Sequence, residues 1–217
     1  MKTFLVELKT SLLVTLMLVL ACCVAYPLAV WAGGQALFAD KANGSLIMDK
    51  NGGVVGSRLI AQGFSSDKYF QPRPSAAGNG YDPTSSGGTN YGPTSDKLAN
   101  GSHARDKSGK PVNDPNNFDG IKDLVAAYRT ANGLGAGDPV PADAVTRSGS
   151  GLDPHISIAN AELQAPRVAR TRGIDLAAVQ ALIEANTDGR DLGILGDPGV
   201  NVLTLNLALD SPREVNR

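Results

Sequence analysis

The chain has 217 residues with 20 Lys and Arg against 21 Asp and Glu, a balance that excludes a polyanion-binding surface built on bulk positive charge. Nucleic acid is therefore not an expected partner. Two Cys and two His leave too few soft ligands for a structural zinc site and too few thiols for a disulfide framework, so no metal is expected. With 25 Gly, 13 Pro and 5% aromatic residues, the core must be built from aliphatic side chains between many turns.

No Asp, Glu, Lys or Arg occurs in residues 11–39, and residues 12–32 are apolar apart from Thr15, Tyr26 and Pro27. As a helix this stretch is about 30 Å long, the thickness of a bilayer's hydrocarbon core. Tyr26 and Trp31 fall near its far end, where amphipathic rings favour the headgroup zone. The organisation that follows is a short cytoplasmic head (1–10), a transmembrane helix (11–32) and an exported soluble domain (33–217). Charge does not set the direction, since Lys2 and Lys9 precede the span and Lys41 and Lys50 follow it. The direction rests instead on the ease with which long domains translocate after an N-terminal anchor. Two other readings stay open. Lys2 and Lys9 with Ala32 or Ala36 as a cleavage point suit a signal peptide, although the run exceeds the usual ~7–15 apolar residues. Val19-Leu20-Ala21-Cys22 suits a lipoprotein, although the chain stays apolar through Trp31; Cys22 and Cys23 otherwise read as lipid-facing or helix-packing residues.

Beyond the span, residues 45–48 and 53–60 are short apolar runs around Lys50-Asn51-Gly52-Gly53, a hairpin signal because Asn-Gly tolerates positive φ. Pro72, Pro74, Pro83 and Pro93 exclude regular helix or central strand over residues 71–97. A polar tract, 99–117, reads as a flexible surface loop. Residues 119–132 form an amphipathic helix ended by Gly133, with Ile121, Leu124, Val125 and Tyr128 toward a sheet. A second helix is expected from Asp153-Pro154 to about Leu163, with a turn or kink at Pro166 before Arg167, Arg170 and Arg172. Asp175 caps a third helix through Asn186, with Ile174 stapling onto Val179. Leu203, Leu205, Leu207 and Leu209 alternate over 201–209, which predicts a strand with one buried face. The fold class is α+β: one N-terminal transmembrane helix followed by a mixed α/β soluble domain with a small sheet and about three helices.

Ser148, Ser150, Asp153 and His155 are the residue types of a nucleophilic triad, but eight crowded positions seldom converge on one reacting atom, and no G-x-S-x-G elbow is present. The bland reading is a tight polar turn; a glycine-rich turn can also offer backbone N–H groups to a phosphate. A P-loop is excluded because Gly109-Lys110 runs into Pro111. Asp106-Lys107-Ser108-Gly109 resembles the D-K-T-G of P-type pumps without any of the surrounding domains and reads as coincidence. His103 reads as a solvated loop residue, His155 as a helix-start residue bonded to nearby backbone, and the arginines after Pro166 as a solvated face or a docking stripe.

Several uncommon strings taken together carry more weight. Tyr69-Phe70-Gln71-Pro72-Arg73-Pro74-Ser75-Ala76, Ser86-Gly87-Gly88-Thr89-Asn90-Tyr91-Gly92-Pro93 and Val145-Thr146-Arg147-Ser148-Gly149-Ser150-Gly151-Leu152-Asp153-Pro154-His155-Ile156 are followed by Gln164-Ala165-Pro166-Arg167-Val168-Ala169, Leu195-Gly196-Asp197-Pro198 and Val200-Asn201-Val202-Leu203. In this order, behind an N-terminal span, they resemble the C subunit of the Kdp-type potassium-transporting ATPase; Thr89 and Tyr91 are departures within the second string. The resemblance implies a non-catalytic subunit of a bacterial inner-membrane complex that imports potassium at the cost of ATP. It implies three partners besides the lipid bilayer: a channel-like potassium-binding subunit, a P-type pump subunit and a small single-span subunit. It further implies a role in assembly and as a catalytic chaperone that raises the pump subunit's affinity for ATP. Ser148, Gly149, Ser150, Gly151 and Gln164 are the positions it marks for a nucleotide role, as fragments of an ATP-cassette signature. The rival class is a membrane-anchored envelope enzyme or binding protein using the turn from Ser148 to His155.

Overall fold

The structure is a computed structural model that describes residues 2–112, 114 and 116–211. The chain divides into two compact units, one through Val55 and one from Gly56.

The first unit is dominated by one helical rod: α1 (Lys2–Leu18), a π-helical stretch (Val19–Ala25) and α2 (Tyr26–Ala42). The 40-residue apolar helix Thr3–Ala42 is long and apolar enough to cross a membrane, and the expected span 11–32 lies inside it. The widened turns have an identifiable cause. Pro27 has no N–H to give and its ring crowds the carbonyl one turn back, and just before it the Tyr26 N–H reaches five residues back to Ala21 O. A second irregularity sits at Phe38, whose φ of −142° and ψ of 42° bend the rod. No described residue of the rod is buried, and Phe4, Leu12, Leu20, Val30 and Trp31 are all exposed, as suits a helix surrounded by lipid. After it, β1 (Leu46–Met48) and β2 (Val54–Ser57) pair as the expected hairpin. Asp49 fastens its turn, with Oδ1 accepting from the N–H of Asn51 at 2.8 Å and of Gly53 at 2.7 Å.

In the second unit, the Pro-rich stretch holds only a 3-10 turn (Pro83–Ser85) before the short α3 (Asp96–Asn100). The polar tract after it is pinned by bridges between Ser102 and Phe118 and between Arg105 and Pro111. Helix α4 (Ile121–Asn132) is fastened by Asp123, whose Oδ2 accepts from Gly120 N–H at 2.9 Å, and closed by Gly133 in the left-handed region at φ 69°. Its packing partners are α3, α5 (Ala142–Val145), which the sequence reading missed, and α6 (Ile158–Arg172), rather than the expected sheet. Helix α6 starts five residues later than expected, behind an Ser157 N-cap, because β3 (His155–Ile156) takes the residues before it. It runs unbroken through Pro166. Residue 166 and Glu162, whose carbonyl would accept from position 166, are both exposed, so the missing bond falls on the solvent side.

Helix α7 (Leu176–Ala185) follows the Asp175 cap as expected, burying Val179 and Ile183. Strands β4 (Thr187–Asp188) and β5 (Gly199–Asn201) complete an antiparallel sheet of order β3-β5-β4, with His155 opposite Asn201 and Thr187 opposite Val200. The expected strand over 201–209 is instead α8 (Val202–Asp210). Asn201 caps it, Oδ1 accepting from Thr204 N–H at 3.1 Å. The buried positions Val202, Leu203, Leu205 and Asn206, with Leu209 packed on the core, recur at the helical spacings of three and four. The alternating leucines fit both periods, and Leu is a strong helix former; the cap and burial of Asn206 decide for helix. The core gathers Phe70, Ile156, Val168, Val179, Val200 and Leu205 around α6.

Candidate functional site

Three polar residues on α6, Asn160, Gln164 and Arg167, recur at helical spacing on its inner face and are 1%, 1% and 4% exposed. Alone, such groups would each be costly to bury. They are tolerated because each is consumed by a network. Gln164 clasps the backbone of Gln71 as a strand would, accepting from its N–H at 2.8 Å and donating to its carbonyl at 3.0 Å. Asn206 on α8 does the same for Phe70, at 2.8 and 2.9 Å. Pro72 and Pro74 keep this segment out of a sheet, and two side-chain amides supply the ladder it lacks. Asn160 accepts from the Tyr128 hydroxyl at 2.8 Å and from Gln164 Nε2 at 2.9 Å, and donates to Asp143 at 2.9 Å. Every buried side-chain nitrogen and oxygen among the described residues has at least one partner.

Beside this network lies a cavity of about 440 Å³. Phe64, Pro72, Pro74 and Leu124 give it apolar walls, and Tyr128, Asn160, Gln164 and Arg167 supply polar groups. Burial pushes the Tyr128 hydroxyl well above its ordinary pKa, with the Asp143 charge adding to the rise, so it stays a neutral donor. Tyr81, also at the cavity, is pushed up to about 12 by burial and donates to Arg73 O at 2.8 Å. Burial lowers the Arg167 pKa, and the nearby Asp67 charge opposes the drop; the guanidinium remains a cation.

The residues marked by sequence for a nucleotide do not converge here. Gln164 lines the cavity, whereas Ser148, Gly149, Ser150 and Gly151 are not among its lining residues. That turn is locked to the loop before it: Ser150 O accepts from Gly87 N–H at 2.8 Å and Ser86 Oγ at 2.9 Å, and Gly151 O accepts from Ser75 Oγ at 2.6 Å. The Ser150 hydroxyl accepts from Leu152 N–H at 3.1 Å. The N–H groups of Gly149 and Ser150 have no acceptor among the described residues. No nucleophilic triad forms. His155 lies in β3, not at a helix start, with Nε2 2.8 Å from Asp188, while Asp153 is paired with Arg73 at 2.9 Å. Ser148 and Ser150 have their oxygens 3.4 Å from each other.

His103 Nε2 lies within hydrogen-bond distance of Asp123 at 3.0 Å and 3.8 Å from Asp119, so it is tied to these carboxylates rather than merely solvated. Of the three arginines after Pro166, only Arg170 is exposed; Arg167 is buried, and Arg172 pairs with Asp210 at 2.8 Å and donates to Lys68 O at 2.7 Å. Sequence reasoning missed Asn160 and Arg167 as site residues. Their signal was present as polar residues falling on the same stripe as Ala161, Ala165 and Val168.

The family model described as K+-transporting ATPase, c chain (KdpC) matches residues 8–211. The Potassium-transporting ATPase KdpC subunit of Rhodospirillum rubrum is 49% identical over 203 residues, covering 94% of this chain and 94% of its own. That of Mycobacterium tuberculosis strain H37Rv is 48% identical over 187 residues, covering 86% of this chain and 88% of its own. That of Koribacter versatilis is 45% identical over 205 residues, covering 94% of each. A likeness that runs from the apolar helix through α8 at nearly half identity places the chain in the KdpC family, the c chains of K+-transporting ATPases.

Proposed function

We propose that this chain is a non-catalytic subunit of an ATP-driven, high-affinity potassium import complex, needed for its assembly. The observation that carries the reading is the family match over residues 8–211, which takes in both the apolar helix and the soluble unit. The helix anchors the chain once in the bacterial inner membrane, with its N-terminus cytoplasmic and the soluble unit on the far side. Its partners are the channel-like potassium-binding subunit, the P-type pump subunit and the small single-span subunit. ATP belongs to the pump subunit, about 30 Å of hydrocarbon away from an external domain. The chain raises the pump's affinity for ATP as a catalytic chaperone, by a coupling free energy carried through the membrane subunits. Cells whose copy ends after Val55 should lose uptake at low external potassium; normal uptake would overturn the reading.

The free N–H groups of Gly149 and Ser150 favour a second reading, direct contact with ATP phosphates through Ser148, Gly149, Ser150 and Gly151, with Gln164 as an outlying member. Topology separates the two. A single Cys at Ile194, which is 75% exposed, in a chain with Cys22 and Cys23 replaced, should react with an impermeant thiol reagent on intact cells. Protection until the inner membrane is opened would favour direct contact and reverse the orientation.

A further inference from the structure

Arg167 presents a cation that the fold has not matched. Its side chain is 4% exposed, and no carboxylate oxygen of the described residues lies within ion-pair distance of it. A guanidinium has five N–H groups. Nε donates to Asn132 Oδ1 at 3.0 Å, Nη1 to Tyr69 O at 3.0 Å and to Asp67 O, and Nη2 to Gln164 Oε1 at 2.8 Å. The fifth, on Nη2, has no acceptor among the described residues. Four neutral acceptors satisfy hydrogen-bond geometry but leave the charge itself compensated only at longer range, by exposed Asp67. Buried cations are ordinarily paired. A second donor stands next to it: Asn132 Nδ2 has spent one hydrogen on Tyr128 O at 3.0 Å and has another to give.

Both residues line the 440 Å³ cavity, which has Phe64, Pro72, Pro74 and Leu124 among its apolar lining and Asp67 among its polar lining. That volume lies in the range of small-molecule sites, and the pattern of apolar walls with a few convergent polar groups is theirs as well. We propose that this cavity is a binding site for a small organic carboxylate, its carboxylate on Arg167 and Asn132 and its apolar body between Phe64, the two prolines and Leu124. The site answers three features at once: the unmatched charge, the unused donors and the apolar wall. A phosphate or other bare inorganic anion would leave the wall wet, and a neutral apolar molecule would leave the guanidinium unmatched. The proposal is independent of the accessory-subunit reading.

The test uses the full chain in detergent, with phenylacetate as probe and phenylacetamide, the same shape without the charge, as control. Titration calorimetry at neutral pH should give saturable binding of phenylacetate at least tenfold tighter than of phenylacetamide. Arg167→Gln should remove that preference. Because Arg167 also ties α6 to residues 67–69, a second variant guards against simple unfolding: Ala127→Phe, at an exposed position on the cavity wall, should fill the space and weaken phenylacetate binding at least tenfold with the unfolding midpoint retained. Equal binding of acid and amide, no saturable binding of the acid, or acid binding unchanged in Ala127→Phe would each overturn the assignment.

Discussion

Two irregular stretches, residues 69–74 and 148–151, are fixed by opposite means. In the first, side chains from two helices reach in: Gln164 and Asn206 replace the ladder of a sheet for Gln71 and Phe70, and Arg167 holds Tyr69 O. In the second, the turn's own carbonyls accept from Gly87 N–H and from the hydroxyls of Ser86 and Ser75. The first arrangement is buried, so losing one side chain strands two backbone groups away from water. The second is buried at its ends, Ser148 and Gly151, but its middle residues Gly149 and Ser150 are exposed, and there water can replace a lost partner. The difference predicts which replacements the fold feels.

The largest effect should come from Asn206→Leu, which keeps the volume but leaves Phe70 N–H and C=O unpaired at a site 1% exposed. A loss of about 3 kcal/mol is expected in urea unfolding of the full chain. A loss below about 1 kcal/mol would mean that the amide clasp is incidental and Phe70 packing alone holds the segment. Next is Gly151→Ala. Gly151 sits at φ 68°, and a Cβ there would come within 2.6 Å of Gly87 O and 2.8 Å of Ala77 N, both backbone atoms that cannot step aside cheaply. Roughly 2 kcal/mol is expected, with a lower unfolding midpoint as the readout. Ser150→Ala removes the acceptor for Leu152 N–H and the long contact with the Ser148 hydroxyl, both made from an exposed residue, and should cost about 1 kcal/mol or less. A larger loss would erase the contrast between the two stretches.

The same contrast explains what could be read from sequence. Helices α4 and α7 were legible because local signals agree: Asp123 and Asp175 fasten their starts, Gly133 ends α4, and apolar residues recur at helical spacing. The segment that became α8 was not, because alternate leucines satisfy a strand pattern equally well; what settles it is the burial of Asn206 against Phe70, 136 residues away in the chain. The sequence starts the second helix too early, at Asp153-Pro154, because nothing local marks β3, and ends it near Leu163 because Pro166 looks like a boundary; only the exposure of that face makes the proline harmless. The cavity was illegible for a related reason. Its walls come from Phe64, Pro72, Leu124 and α6, brought together by the amide clasps, and no local motif announces them. Gln164 was singled out for a cassette-like string, yet its geometry makes it the clasp on Gln71.

The smallest effect, and the one that reaches the sheet beyond these stretches, concerns Asp188 in β4. One carboxylate oxygen lies 2.8 Å from His155 Nε2 and the other pairs with Arg58. Burial by itself would raise the Asp188 pKa, but the His155 hydrogen bond and the Arg58 charge outweigh it and hold the group below the usual carboxylate range. A carboxylate depressed in the folded state contributes stability that is complete above the unfolded value of about 3.9 and disappears as pH falls through the folded value. The stability advantage of the parent chain over Asp188→Asn should therefore hold from pH ~7 down to about 5 and shrink below about 4. With Arg58 and His155 side chains 50% and 36% exposed, solvent screens both partners, which is why this change ranks below the buried clasp. An advantage that grew as pH dropped below about 4 would mean that the protonated carboxyl is the stabilising form, and that β3 and β4 are joined here by a neutral hydrogen bond rather than by charge.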